Sequence, residues 1–304
     1  MGLSHWKDPD SRVAYERAYK ASLSLWPLPV ESRHVTTPYG DTHVLVSGAA
    51  GGEPVVLIHA ASLSAIQWYP QASELGRTHR LYALDIMGDI GLSRQAAAIH
   101  SREDAAGWLV ATLDALEIDR AIFAGSSFGG FQAANLAVHH PDRVLGLALL
   151  APAATLRPFA FLANLFIRTG SLLPLPATVK PGLKGMMSGS LPDPRIVRQM
   201  ELGVAGFRYD RAGIYPSSLP DDELARIACP TMVLLGDREM IYSPTAAAER
   251  AGALMPNCSV AVIPGVGHLL GLHRPDIVNP RLSAFVASVE RPARVAPEVA
   301  LATR

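Results

Sequence analysis

Residues 120–140 read RAIFAGSSFGGFQAANLAVHH: a short apolar run, a glycine-rich turn and a segment of helical spacing in immediate succession. The turn, Gly125-Ser126-Ser127-Phe128-Gly129, has the form GxSxG. That form places its central serine on a sharp strand-to-helix corner, with small residues two before and two after it so that the backbone can close up. Ser127 is in frame. Ser126 is not, because Ala124 and Phe128 would flank it. Gly130 lets the helix approach the sheet closely. The helical segment closes with His139 and His140 near the negative end of its dipole and stops at Pro141.

Outward from this stretch, apolar runs alternate with segments of helical period, the pattern of an α/β chain with a mostly parallel, twisted sheet. Toward the N-terminus lie the runs Pro54–His59 and Leu81–Ile86 and the helical segment Ala105–Leu116. Two further runs, His34–Thr37 and His43–Ser47, join through Tyr39-Gly40-Asp41 and make an antiparallel start. Tyr15, Tyr19 and Leu23 fall four apart, so residues 1–30 predict a helical segment packing on the body ahead of Pro27 and Pro29. Val144–Leu150 is the next buried run, after which the alternation stops over residues 153–219 in favour of short apolar pieces punctuated by Pro and Gly, read as a helical cap. The α/β pattern resumes with Pro230–Gly236, a helix after Ser243-Pro244, the run Ser259–Ile263 and a last helix between Arg274 and Val289. That helix starts either at Pro275 or, with Asn279 as its cap, at Pro280. The α/β body is therefore expected over 31–152 and 220–290, with residues 291–304 as a flexible tail.

Of the 304 residues 49% are apolar and only 18% charged, so the surface or a cavity must carry extra apolar area. Lys plus Arg equals Asp plus Glu at 27 each, which leaves no cationic excess for phosphates and excludes nucleic acid as an expected partner. Cys229 and Cys258 are too few for a disulfide framework and no Cys/His set has metal-ligand spacing, so free thiols in a reducing, cytoplasmic setting are expected. Charges from Lys7 to Lys20 interrupt any signal peptide, and the apolar stretches Val144–Leu156 and Pro158–Ile167 are too short to be an integral membrane segment.

A serine hydroxyl needs a base, and the base needs a group to hold its tautomer. His268, in the GVGH loop after the run VAVI, is the candidate base. VLLGD places Asp237 one residue past a buried strand, where α/β sheets bind ligands, and Glu239 is its rival. Two backbone donors are needed for the developing oxyanion, each worth about 2.7–4 kcal/mol in comparable sites. The amide of Phe128 is one candidate, and that of Ala61, in the loop His59-Ala60-Ala61-Ser62, is the other. These parts predict two-step hydrolysis of a small hydrophobic ester, without a metal or cofactor, under an apolar cap.

Ser127, Asp237 and His268 follow the chain order of the α/β-hydrolases, and the sequence resembles that superfamily from about His34 to Val289. ASLSLWP (21–27), TTPYGDTHVLVSG (36–48), Gln67-Trp68-Tyr69-Pro70 and LDIMGD (84–89) resemble the bacterial carboxylesterase NP group. The resemblance implies the α/β-hydrolase fold, a helical cap between the sixth strand and the acid, and Ser127, Asp237 and His268 as a catalytic triad. Members of the group usually carry Gly after the loop histidine, where this chain has Ala60. The same triad would serve a lactonase, a carbon–carbon bond hydrolase, a thioesterase or an acyltransferase. The fold also serves non-catalytic small-molecule receptors, an outcome that an intact triad disfavours. The sequence leaves a homo-oligomer open.

Overall fold

The computed structural model describes residues 2–161, 163–165, 175–210 and 212–289. The expected tail, 291–304, and part of the apolar stretch after Pro158 lie outside the described residues. The strands are β1 (His5–Trp6), β2 (Val30–Thr37), β3 (Gly40–Gly48), β4 (Pro54–Ile58), β5 (Arg80–Leu84), β6 (Arg94–Gln95), β7 (Ala121–Ser126), β8 (Val144–Leu150), β9 (Phe207–Arg208), β10 (Thr231–Gly236) and β11 (Cys258–Ile263). Among the described residues the main sheet runs β11-β10-β8-β7-β4-β5-β3-β2, with β6 on β3. From β11 to β5 every neighbour is parallel, while β3 and β2 pair antiparallel. The central strand is β7, whose six residues are all buried, and such two-sided burial is why it reads as an unbroken apolar run.

Alternate strand residues feed two cores. Leu45, Val55, Leu57, Ile122 and Leu234 face one layer of helices, while Val46, Val56, Ile58, Phe123 and Val233 face the other. The first layer holds α1 (Pro9–Leu23), α2 (Tyr69–Leu75) and, at the chain's end, the helix Pro275–Ser288. The second holds α3 (Arg102–Ala115), α4 (Phe128–His139) and the helix Pro244–Leu254. Helix α3 begins three residues before its apolar spacing does, because Ser101 and Asp104 form a reciprocal capping box. The last helix starts at Pro275 and carries Pro280 inside it. Asn279 is no cap: its side chain accepts from Gln71 Nε2 at 2.8 Å and donates to the Pro70 carbonyl at 2.6 Å, tying this helix to α2.

Between β8 and β10, where the cap was expected, the described helices include α5 (Val179–Met186) and α6 (Pro194–Gly206). Helix α6 runs into β9, which pairs with β1 at the other end of the chain. Trp6 and Phe207 meet edge-on with ring centroids 5.2 Å apart, and Trp6 also packs on Tyr15 of α1. The N-terminal segment thus clasps the end of α6 against the body.

Beneath this clasp lies a buried polar junction. The Asp85 carboxylate, fully buried just past β5, accepts from the Ala65 amide at 2.7 Å, the Leu92 amide at 2.8 Å and His43 Nδ1 at 2.9 Å. Burial pushes Asp85 up, but the His43 hydrogen bond and the backbone donors outweigh it and hold the carboxyl below its ordinary range. Asp85 therefore contributes stability above the ordinary carboxylate pKa, and this is lost as the pH falls through the lower folded value. His43→Ala leaves the carboxylate buried without its main partner, which should lower the unfolding free energy in urea by about 3 kcal/mol at neutral pH. Its acid-induced loss of stability should begin at a higher pH than in the wild type, because burial then raises Asp85 against the backbone donors without the His43 hydrogen bond.

Candidate active site

Ser127 joins β7 to α4 with φ 51° and ψ −113°. A residue with a Cβ enters that region at a cost of about 1–3 kcal/mol. Three backbone bonds hold it there: its amide donates to the Leu150 carbonyl at 2.9 Å, and its carbonyl accepts from Ala153 at 2.9 Å and Phe131 at 3.1 Å. The flanking glycines are sterically required. A Cβ on Gly125 would lie 2.3 Å from the Gly129 carbonyl oxygen, and one on Gly129 would lie 2.1 Å from that of Ile58. Ser126 ends β7, and its buried hydroxyl has no partner among the described residues.

The structure brings His268 to Ser127. The histidine follows β11 in the turn at the carboxyl ends of the parallel strands, where its Nε2 is 2.7 Å from Ser127 Oγ. Both residues are nearly fully buried. The carboxylate on the other ring nitrogen is that of Glu239, not Asp237: His268 Nδ1 lies 2.6 Å from Glu239 Oε2. The second Glu239 oxygen accepts from the Ile241 amide at 3.0 Å, which anchors the carboxylate beside the ring. In the neutral imidazole this pairing puts the proton on Nδ1 and leaves Nε2 free to accept from the serine.

Asp237 is placed otherwise. Its backbone is still bonded to the end of β11, with its amide donating to Ile263 at 3.0 Å, and its side chain accepts from the amides of Gly265 at 2.7 Å and Val266 at 3.2 Å. It shapes the turn that carries His268 without touching the imidazole. Position relative to the strand end favoured Asp237. The signal for Glu239 is its longer side chain, which reaches back over the turn from two residues further on.

The loop after β4 presents the Ala61 amide. Gln67 Oε1 accepts from Ala60 N at 2.7 Å. His59 Nε2 accepts from the Ile86 amide at 2.9 Å, so its Nδ1 carries the proton and donates to the Ala60 carbonyl at 2.8 Å. Ala60 keeps a negative φ and needs no glycine there; the left-handed residue is Ser62, with φ 62°. Among the described residues none accepts from the amides of Ala61 or Phe128, so both are available to a ligand.

Helix α5 roofs the histidine turn. Leu269 N donates to the Met186 carbonyl at 3.1 Å, and a Cβ on Gly267 would lie 2.4 Å from that oxygen. A cavity of about 510 Å³ opens further along the chain beside Leu156, Phe159, Tyr215 and Arg250, but Ser127 and His268 are not in its wall, so it takes no part in this geometry. Cys229 and Cys258 are free, and burial pushes both thiols up to about 11, which keeps them from competing as nucleophiles. No helix of the described residues is long and apolar enough to cross a membrane.

The sequence matches the alpha/beta hydrolase family over residues 55–281. It is 34% identical to the uncharacterized carboxylesterase nap of Bacillus subtilis (strain 168) over 91% of this chain and 93% of that one. The crystal structure of naproxen esterase (carboxylesterase NP) from Bacillus subtilis aligns with a TM-score of 0.86 at 34% identity, covering 92% of this chain and 99% of that chain. That of carboxylesterase CesB (YbfK) from Bacillus subtilis aligns with a TM-score of 0.84 at 30% identity, covering 91% and 98%. The parallel sheet, the serine corner after β7 and these likenesses agree: the chain belongs to the alpha/beta hydrolase family and resembles its bacterial carboxylesterases.

Proposed function

We propose that the protein is a serine carboxylic ester hydrolase that works through an acyl-enzyme. The observation that carries this reading is the unbroken hydrogen-bond line from Ser127 Oγ through His268 to Glu239, anchored on a strained corner. His268 Nε2 takes the hydroxyl proton as Ser127 attacks the ester carbonyl, and Glu239 stabilises the imidazolium that forms. The amides of Ala61 and Phe128 receive the negative oxygen of the tetrahedral intermediate. Its collapse passes the proton from His268 to the leaving alcohol, and a water activated by the same nitrogen then releases the acid.

The carboxylesterase relatives, which span over nine-tenths of this chain, support an ester as the substrate, and one of them is a naproxen esterase. The apolar residues around the cap favour an ester with a hydrophobic acyl or aryl part, because such a wall binds by area without fixing polar contacts. A series of nitrophenyl esters of increasing acyl length should show kcat/KM rising from acetate before it falls.

A fluorophosphonate should add its mass at Ser127, and Ser127→Ala should lose turnover by about 10⁶-fold. A Ser127→Ala protein that hydrolysed nitrophenyl esters at the wild-type rate would refute the reading. The two carboxylates separate cleanly. Glu239→Gln should lower kcat by about 10⁴-fold through the wrong tautomer of His268. Asp237→Asn retains an acceptor for Gly265 and Val266, so its kcat should stay within about tenfold while its melting temperature falls by a few degrees.

A further inference from the structure

The loop that presents the Ala61 amide is held from the cap side as well as from the sheet. Ser62, in the left-handed region, donates its amide to both oxygens of Asp89 at 3.1 Å. Asp89 also accepts from the Ile90 amide at 2.6 Å and from the Tyr209 hydroxyl at 2.7 Å. The Tyr209 oxygen is 2.8 Å from Ser62 Oγ. A phenol has one proton, and here it goes to the carboxylate, so the Ser62 hydroxyl donates to Tyr209 and the three residues close a ring of hydrogen bonds around the peptide next to Ala61. Two positions further along the same loop, Ser64 Oγ accepts from Gln199 Nε2 of α6 at 2.8 Å.

We infer that Tyr209, acting through Asp89 and Ser62, is a positioning residue that sets the direction of the Ala61 amide and so couples the cap to the oxyanion hole. The inference rests on the esterase reading above. Tyr209 lies immediately after β9, on the chain that leaves α6, so its hydroxyl reports where the cap stands relative to the loop. Ala61 is the first central residue of a turn that Leu63 closes by donating its amide to the Ala60 carbonyl at 3.1 Å; Gln67 and His59 fix the residue before it, and the Asp89 ring holds the left-handed second residue of that turn in place. Burial already pushes the Asp89 carboxyl up, against the donors that lower it. Without the phenol it would gain a proton more readily and become a poorer acceptor, and Ser62 would then be free to leave its left-handed conformation.

The test is Tyr209→Phe, which keeps the ring on Phe207 and removes one oxygen. Its kcat should fall by about 10- to 100-fold, the scale of a small misplacement of a reacting group, with KM within about twofold. Affinity for a trifluoromethyl ketone, which forms an oxyanion on Ser127, should fall by the same factor as kcat/KM, while that for the unreactive methyl ketone should not change. Asp89→Asn should move the same quantities in the same direction. If either variant has wild-type kcat, or if both ketones weaken equally as they would for a merely loosened fold, the positioning role is wrong. Ser127→Ala run alongside tells the two claims apart. An inactive Ser127→Ala with an unaffected Tyr209→Phe overturns only the role of Tyr209, whereas an active Ser127→Ala overturns the esterase reading and this inference with it.

Discussion

A side chain on a regular strand or helix cannot stand clear of both neighbours, and the backbone of Ser127 solves this by leaving both regions at once. At φ 51° the chain turns sharply enough that the hydroxyl projects above the carboxyl end of the sheet while the next residue already begins α4. The turn is stable only because nothing larger than hydrogen occupies the Cα of Gly125 or Gly129, and because the serine's own amide and carbonyl are bonded to β8 and the chain that follows it. Everything else in the site is arranged around a point that this corner defines. β4, the neighbour of β7, ends beside it and delivers the Ala61 loop, while β11, at the sheet's edge beyond β10 and β8, sends back the turn that carries His268; both arrive on one side because parallel strands share one carboxyl edge.

The strain at the corner has a counterpart in the loop opposite. Ala60 stands where the group that the sequence resembles usually has glycine, and a residue with a Cβ narrows backbone choice. The left-handed residue of this loop is Ser62, and the sequence supplies Asp89 to hold it there. Asp89 belongs to the LDIMGD run, so this run carries two anchors of the same loop: Asp85 takes the amide of Ala65, and Asp89 that of Ser62. Two buried carboxylates that accept backbone donors from one loop make its geometry costly to change, because any displacement leaves a desolvated oxygen unpaired.

What could be read before the structure follows from which signals are local. Buried parallel strands announce themselves as apolar runs, and β8 was legible to the residue, because its seven positions are buried on both faces. The serine corner was legible because the steric demand for glycine falls at fixed offsets from Ser127. His268 was legible from its place after a strand. The carboxylate that meets the imidazole was not, because two carboxylates two residues apart at the end of β10 differ only in which way the turn sends them, and the pairing of Asp237 with the β11 turn is a contact across strands that spacing does not encode. The short strands β1 and β9 escaped for the same reason: two residues carry no periodicity, and their pairing joins the ends of a 200-residue stretch.

The two carboxylates also show how one turn can separate holding from chemistry. Asp237 is exposed and spends an oxygen on two amides of the histidine's own turn, which fixes the path of the chain from β11 to His268. Glu239 is withdrawn from solvent with one oxygen on the Ile241 amide and the other on the imidazole, which fixes the ring's tautomer. Asp237 serves the turn through its Oδ1 alone, and the imidazole contact falls to Glu239, two residues on and one methylene longer. In the mechanism proposed above, this division lets the turn stay rigid while the buried Glu239 carboxylate responds to the charge that develops on His268, a task that burial favours because low local polarity strengthens its interaction with an imidazolium.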